Sequence, residues 1–135
     1  MIRYSDTLDD ITPAGLAGFF GGWSHPPSPD EHLAILKGSD FIQLALDSET
    51  QQVIGYVTAI SDGVSCAYVP HLEVLERYRK QGIATELVRR LLATIDQFYM
   101  VDLICDDDLH PFYERLGFRR HAGMIRRNYE RQSCE

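Results

Sequence analysis

Leu72-Glu73-Val74-Leu75-Glu76-Arg77-Tyr78-Arg79-Lys80-Gln81-Gly82-Ile83-Ala84-Thr85 reads as the end of a strand, a basic turn and the start of a long helix. Over residues 82–97, Ile83, Ala84, Leu87, Val88, Leu91, Leu92 and Ile95 recur at helical spacing and fall on one face. A helix N-terminus offers free amides and the positive end of its dipole, and a glycine there lets an anion approach the backbone without meeting a Cβ. With Arg79 and Lys80 adding positive charge, the junction is expected to cradle phosphate.

Working outward from this junction, the chain alternates between strand and helix signals. Residues 2–4 suggest a short first strand, and Thr12-Pro13 an N-cap and first-turn proline for a helix carrying Leu16, Phe19, Phe20 and Trp23. Ser28-Pro29-Asp30-Glu31 is a capping box opening a second short helix, with Leu33 and Leu36 on its apolar side and Gly38 at its end. Residues 41–46 and 53–60 read as a hairpin around the polar stretch 47–52. A third strand is expected over 64–75, where Pro70, lacking an amide hydrogen, marks an edge, a bulge or a splay point.

Beyond the long helix, residues 100–105 read as a buried strand. Asp106, Asp107 and Asp108 then open a short helix with Leu109, Phe112, Tyr113 and Leu116 on its apolar face. Gly117 suits a left-handed cap before a last strand or strand pair over 118–129. The expected fold class is α/β of the α+β kind: a mixed, mostly antiparallel sheet flanked by helices, with one strand-helix-strand crossover near its centre.

The chain has 135 residues, 44% hydrophobic and 24% charged, with no repeat or low-complexity tract, so one domain over 1–135 is expected. A net charge of -7 disfavours a nucleic-acid partner, which would need clustered Lys and Arg. Three widely spaced cysteines, Cys66, Cys105 and Cys134, fit neither a disulfide framework nor a zinc site. Reduced thiols, the lack of an 18-residue apolar run and the lack of a signal-peptide layout point to a cytoplasmic protein away from the membrane. The five histidines show no HxH or HxxxH spacing, and the acidic triplet reads as helix-capping charge, so no metal is expected.

Arg79-Lys80-Gln81-Gly82-Ile83-Ala84 resembles the acetyl-coenzyme A signature of the GNAT N-acetyltransferase superfamily, Gln/Arg-x-x-Gly-x-Gly/Ala. Phe112-Tyr113-Glu114-Arg115-Leu116-Gly117-Phe118 is similar to that family's second signature, Phe-Tyr-x-x-x-Gly-Phe. The resemblance covers roughly residues 41–129, with the same order of elements, and it is weakest over the first 40. It implies a GNAT-like fold that moves an acetyl group from acetyl-coenzyme A to an amine by direct attack in a ternary complex. The strand at Leu72, Glu73 and Val74 would pair with pantetheine, and Arg79, Lys80, Gln81, Gly82, Ile83, Ala84 and Thr85 would hold the pyrophosphate, Thr85 through its hydroxyl. Asp106, where the family often has asparagine, and Phe112 would complete the coenzyme site.

Direct attack needs a proton acceptor, an oxyanion donor and help for the departing thiolate. The resemblance suggests Glu73 for the first, a backbone amide near Val74 for the second and Tyr113 for the third. Glu73 also reads as a solvent-facing strand carboxylate or a structural ion pair, Tyr113 as a core aromatic, and His71 or His110 as a proton relay. The implied partner is a small-molecule or protein amine, with a homodimer compatible. The alternative is a non-catalytic acyl-coenzyme A binding or sensing domain that keeps the phosphate turn and lacks the chemistry.

Overall fold

The hairpin expected around residues 47–52 is the centre of the sheet. In a computed structural model describing residues 1–135, β2 (Phe41–Asp47) and β3 (Val53–Ser61) pair antiparallel, with Phe41 opposite Ala59 and a bulge between Ala45 and Leu46. Both strands are almost wholly buried, which is why they read as continuous apolar runs rather than alternating ones. β1 (Ile2–Ser5) adds to the outer edge of β2.

The third strand of the sequence reading divides in two. Its first part, β4 (Cys66–Tyr68), pairs with the end of β3, and its second part, β5 (Leu72–Val74), pairs with the middle of β3. The chain then makes a 3-10 turn at Glu76–Tyr78 and enters α2 (Ile83–Ile95), which returns it to β6 (Met100–Asp102). β6 lies parallel to β4, so β4, α2 and β6 form the expected crossover, and the sheet order is β1-β2-β3-β4-β6.

Each face of the sheet is covered by a different part of the chain. On one face Ile83, Leu87, Val88, Leu91 and Ile95 of α2 are buried, and a Cβ on Gly55 would meet the Leu87 and Val74 side chains at 3.2 Å, so any larger residue there would have to push them aside. On the other face lie the N-terminal segment and α1 (Pro29–Gly38), whose Ser28 hydroxyl accepts the Glu31 amide as the capping pattern requires.

Four expectations are corrected. The helix expected after Thr12 shrinks to a 3-10 turn at Pro13–Leu16, because Gly18, Phe20 and Gly22 all take left-handed backbone angles that no helix tolerates. In α1 Leu36 is buried and Leu33 packs half-buried against the core, but His32, left out of the expected apolar side, is buried with them. The strand at residues 100–105 keeps only Met100–Asp102 and is exposed along one face. No strand forms over 118–129; residues 119–127 are exposed and make no backbone hydrogen bond, because nothing lies alongside to pair with them.

His32 is 1% exposed, packed against the rings of Phe19, Phe20 and Tyr56 at 5.2, 4.9 and 4.4 Å, and neither ring nitrogen has a hydrogen-bond partner. Burial, with a smaller contribution from His71, pulls its pKa to about 4. The folded state therefore keeps the ring neutral while the unfolded chain binds a proton below about pH 6.5, so stability falls as pH drops through that window. Urea unfolding is expected to show a loss approaching about 3 kcal/mol from this residue by pH 4. The His32→Leu variant should have a flatter profile over the same range; an unchanged profile would place the ring's protonation elsewhere.

Candidate functional site

Two strands part where the chain cannot make a rung. Val69 still donates its amide to the Asp102 carbonyl at 3.0 Å, the last contact between the β4 side and β6. Pro70 follows, without an amide hydrogen, and β5 continues along β3 while residues 103–105 run away from it. Thr58 donates to the His71 carbonyl and Leu75 to the Ile54 carbonyl, so odd-numbered residues of this segment turn their backbone groups toward β3. By alternation, the backbone groups of Leu72 and Val74 face the opening. The sequence reading grouped Glu73 with them, but its backbone belongs to the β3 ladder, opposite Tyr56.

The turn at the end of β5 is held from several directions. The Tyr78 hydroxyl donates to Asp47 Oδ2 at 3.0 Å, and the Tyr78 and Arg79 amides close the 3-10 turn onto Leu75 and Glu76. Lys80 and Gly82 have φ of 65° and 80°, and a non-glycine residue in that region costs about 1 to 3 kcal/mol, strain of a kind that clusters at ligand sites. The amides of Gln81, Gly82, Ile83, Ala84 and Thr85 donate to no protein acceptor; the first bond of α2 runs from Glu86 to Gly82. A Cβ on Gly82 would meet nothing within 4 Å, so this cluster of donors opens on free space. It fits the pyrophosphate expected there.

Arg79 and Ile83 serve the site differently from the sequence expectation. Arg79 Nε donates to the Val74 carbonyl at 2.9 Å, so the guanidinium clamps the turn to the strand instead of reaching outward. Ile83 has its side chain in the core and contributes only its backbone. Lys80 and Gln81 are exposed, and Ala84 and Thr85 half-buried.

Downstream of β6, α3 (His110–Glu114) carries Phe112 and Tyr113. Gly117, at φ 95°, caps the segment, and Phe118 donates its amide back to the Tyr113 carbonyl. The Tyr113 ring is met edge-on by Phe112 at 4.9 Å and Phe118 at 5.6 Å. Burial, with the nearby Cys105, raises its pKa to about 12. Asp106 precedes this turn exposed, and its side chain caps nothing.

Glu73 is tied to the N-terminal segment. Its carboxylate accepts the Phe20 amide at 2.8 Å and the Gly21 amide at 3.4 Å, holding the left-handed bend at Phe20 over β5. Two residues away on the same face, His71 packs against Phe20, Trp23 and Tyr56, and burial lowers its pKa, so the imidazole is neutral near pH 7. Sequence reasoning missed His32, Tyr56 and the Phe20 and Gly21 amides, because only the pairing register and the bend of the N-terminal segment bring them to this face. His110 lies away from these groups, beside Asp107 at 4.0 Å.

The acetyltransferase (GNAT) family model matches residues 8–118. A crystal structure of a protein provisionally named an acetyltransferase, from Deinococcus radiodurans R1, is 46% identical, covers 98% of this chain and 92% of its own, and superposes with a TM-score of 0.95. A GNAT family acetyltransferase from Streptococcus pneumoniae TIGR4 is 26% identical, with coverage of 95% and 98% and a TM-score of 0.69. Glucosamine-6-phosphate N-acetyltransferase from Arabidopsis thaliana, at 13% identity, 95% and 98% coverage and a TM-score of 0.69, shares the fold alone. No functionally curated protein matches the sequence.

The bonds to Glu73 predict a structural cost that a purely catalytic carboxylate would not have. Charge-assisted hydrogen bonds contribute about 1.5 to 3 kcal/mol each, less where solvent reaches them. Glu73→Ala is therefore expected to lower the urea unfolding free energy by about 1 to 3 kcal/mol and to speed proteolysis around Phe20. Wild-type stability in this variant would mean that the bend holds itself.

Proposed function

This chain belongs to the GNAT acetyltransferase family, whose enzymes use acetyl-coenzyme A, and on that premise we propose that it transfers the acetyl group to an amine by direct attack in a ternary complex. The observation that supports this reading is the row of five amides at Gln81–Thr85 that donate to no protein acceptor, following a strand, β5, that pairs only with β3. The coenzyme, when bound, supplies a thioester carbonyl and a thiolate leaving group.

The residues divide the remaining work. Amides 81–85 receive the pyrophosphate, with the Lys80 ammonium and the Thr85 hydroxyl beside them. Leu72 offers its free backbone groups, and Val74 its amide, to pantetheine in the manner of an added strand, the Val74 carbonyl being held by Arg79. The Val74 amide also donates toward the developing oxyanion, a contribution typically worth about 3 kcal/mol. Phe112 packs against Tyr113 and Asp106 flanks the same lip. Glu73 accepts the proton of the attacking amine, directly or through water; each of its fixed oxygens keeps a further lone pair for that purpose. Neutral His71 is the second proton acceptor on this face. The acceptor is a small-molecule or protein amine, no metal takes part, and the free thiols of Cys66, Cys105 and Cys134 suit a cytoplasmic enzyme. No helix is long and apolar enough to cross a membrane.

Tyr113 acts on the leaving thiolate. With a phenol pKa of about 12 against about 8.5 for a thiol, full proton transfer is uphill by roughly 5 kcal/mol, so its role is hydrogen-bond donation to the sulfur. Because that pKa lies so high, the hydroxyl stays protonated at every ordinary assay pH.

Screening amines with acetyl-coenzyme A while monitoring thiol release tests the activity, and binding without release of thiol by any acceptor would favour the sensing alternative. Gly82→Val is expected to abolish coenzyme binding in a folded protein, read as loss of the ligand-induced rise in melting temperature, because the new side chain both occupies the cradle and strains φ 80°. Tyr113→Phe should lower kcat about 10- to 10³-fold with little change in KM, and should slow a thioester with a more acidic thiol less. Equal slowing of both thioesters would leave Tyr113 as a packing residue.

A further inference from the structure

We propose that the cavity at the open end of β2 binds a free di- or tripeptide as a short added strand, at a site separate from the coenzyme turn. β1 accompanies β2 only as far as the pair of Ser5 with Leu44. The chain then turns away through residues 6–8, where the Thr7 amide donates to the Ser5 hydroxyl at 3.2 Å, and residues 41–43 of β2 have no strand on that side. Thr58 donates to His71 and Ile54 accepts from Leu75, so the even-numbered residues of β3 face β5 and its odd-numbered ones face Phe41, Gln43 and Ala45. The N–H and C=O of Ile42 therefore point to the open edge, although Ile42 is only 9% exposed.

Gln43 supplies a second unmet group. It is 6% exposed, its side chain makes no hydrogen bond with the protein, and it lines a cavity of about 330 Å³. The hydroxyls lining the same cavity donate elsewhere, Ser39 to the Ile35 carbonyl at 2.8 Å and Thr94 to the Leu91 carbonyl at 2.7 Å. The cavity wraps the edge of β2 from Leu36 of α1 on one face of the sheet to Thr94 of α2 on the other, and so takes in both the Ile42 edge and the Gln43 amide. A buried carboxamide is rarely left without a partner, and the cavity is where its partner sits. β3 stands between this edge and β5, which keeps the cavity apart from the coenzyme opening.

These donors and acceptors match an extended peptide. One residue of an added strand gives its N–H to the Ile42 carbonyl and takes the Ile42 N–H, as in an antiparallel rung. A neighbouring amide of the same peptide pairs with the Gln43 carboxamide, which offers an acceptor oxygen and two donor hydrogens. The rim carries both signs of charge: Lys37, Asp6 and Asp40 line it, all three are exposed, and none joins an ion pair within the chain. Asp40 spends one oxygen on the Ser61 amide at 2.7 Å and keeps the other free. The ammonium and carboxylate at the two ends of a short free peptide answer these charges, whereas a segment inside a longer chain has neither. The volume, near the low end for ligand pockets, limits the ligand to two or three residues.

Calorimetric titration of the full chain with dialanine and trialanine is expected to show saturable one-to-one binding with a dissociation constant of about 1 mM or tighter. Gln43→Met keeps the length of the side chain and removes its amide, and should weaken that binding about tenfold or more. The same variant should melt no lower than wild type without peptide, because no protein hydrogen bond is lost. Lys37→Ala should weaken binding about threefold or more and make it less sensitive to salt. Trialanine acetylated at its N-terminus and amidated at its C-terminus should bind about tenfold more weakly than the free peptide. A cooperative thermal transition reports that both variants are folded, and acetyl-coenzyme A binding is measured separately, so failure of the catalytic reading and failure of this one are distinguishable. No saturable binding of either peptide at about ten times that concentration overturns the proposal. Equal affinity in Gln43→Met overturns it by seating the peptide elsewhere, at the Glu73 side for example, and equal affinity of the capped peptide overturns the free-peptide assignment.

Discussion

Pro70 has no amide hydrogen, and the rung it cannot make opens the sheet. Upstream, Val69 still bonds Asp102; downstream, β5 follows β3 and its outer backbone groups face solvent. A continuous parallel ladder would have consumed the groups of Leu72 and Val74 and left no slot for an extended ligand. Backbone groups exposed at the middle of a sheet cost little where water or a ligand can pair with them. The β3 hairpin to one side and the β4, α2, β6 crossover to the other keep the opening from collapsing.

Three interactions hold the opening in register with the phosphate turn. Arg79 ties the turn to the Val74 carbonyl, Tyr78 ties it to the β2 to β3 connection through Asp47, and the buried stripe of α2 fixes the direction in which its free amides point. None of the three touches the place where anion would sit, yet each sets where that place is. Glu73 does the equivalent for the N-terminal segment by gripping the Phe20 and Gly21 amides. One carboxylate thus anchors the N-terminal bend over β5.

Behind that bend sits an aromatic layer, Phe19, Phe20, Tyr56, His32 and His71, with rings 4.4 to 6.4 Å apart. Burial keeps both imidazoles uncharged near neutrality and pushes the Tyr56 phenol well above its usual range. The layer is largely apolar while carrying polar atoms, a combination that raises the cost of acid.

The sequence alone determined the parts governed by local chemistry. The i, i+4 stripe of α2, the Ser28 cap, the Gly82 junction, the Gly117 cap and the Pro70 break are each specified by residues next to one another, and all five stand in the structure. Tertiary structure decided what depends on distant partners. Whether residues 118–129 form a strand depends on a neighbour to pair with, whether Arg79 reaches a phosphate or a carbonyl depends on where β5 ends, and the Glu73 contacts depend on three left-handed residues that bend the N-terminal segment back across fifty positions of chain. His32 shows the limit most plainly: nothing in its local sequence marked it as interior, and only the ring layer formed by residues from separate elements made the interior its place.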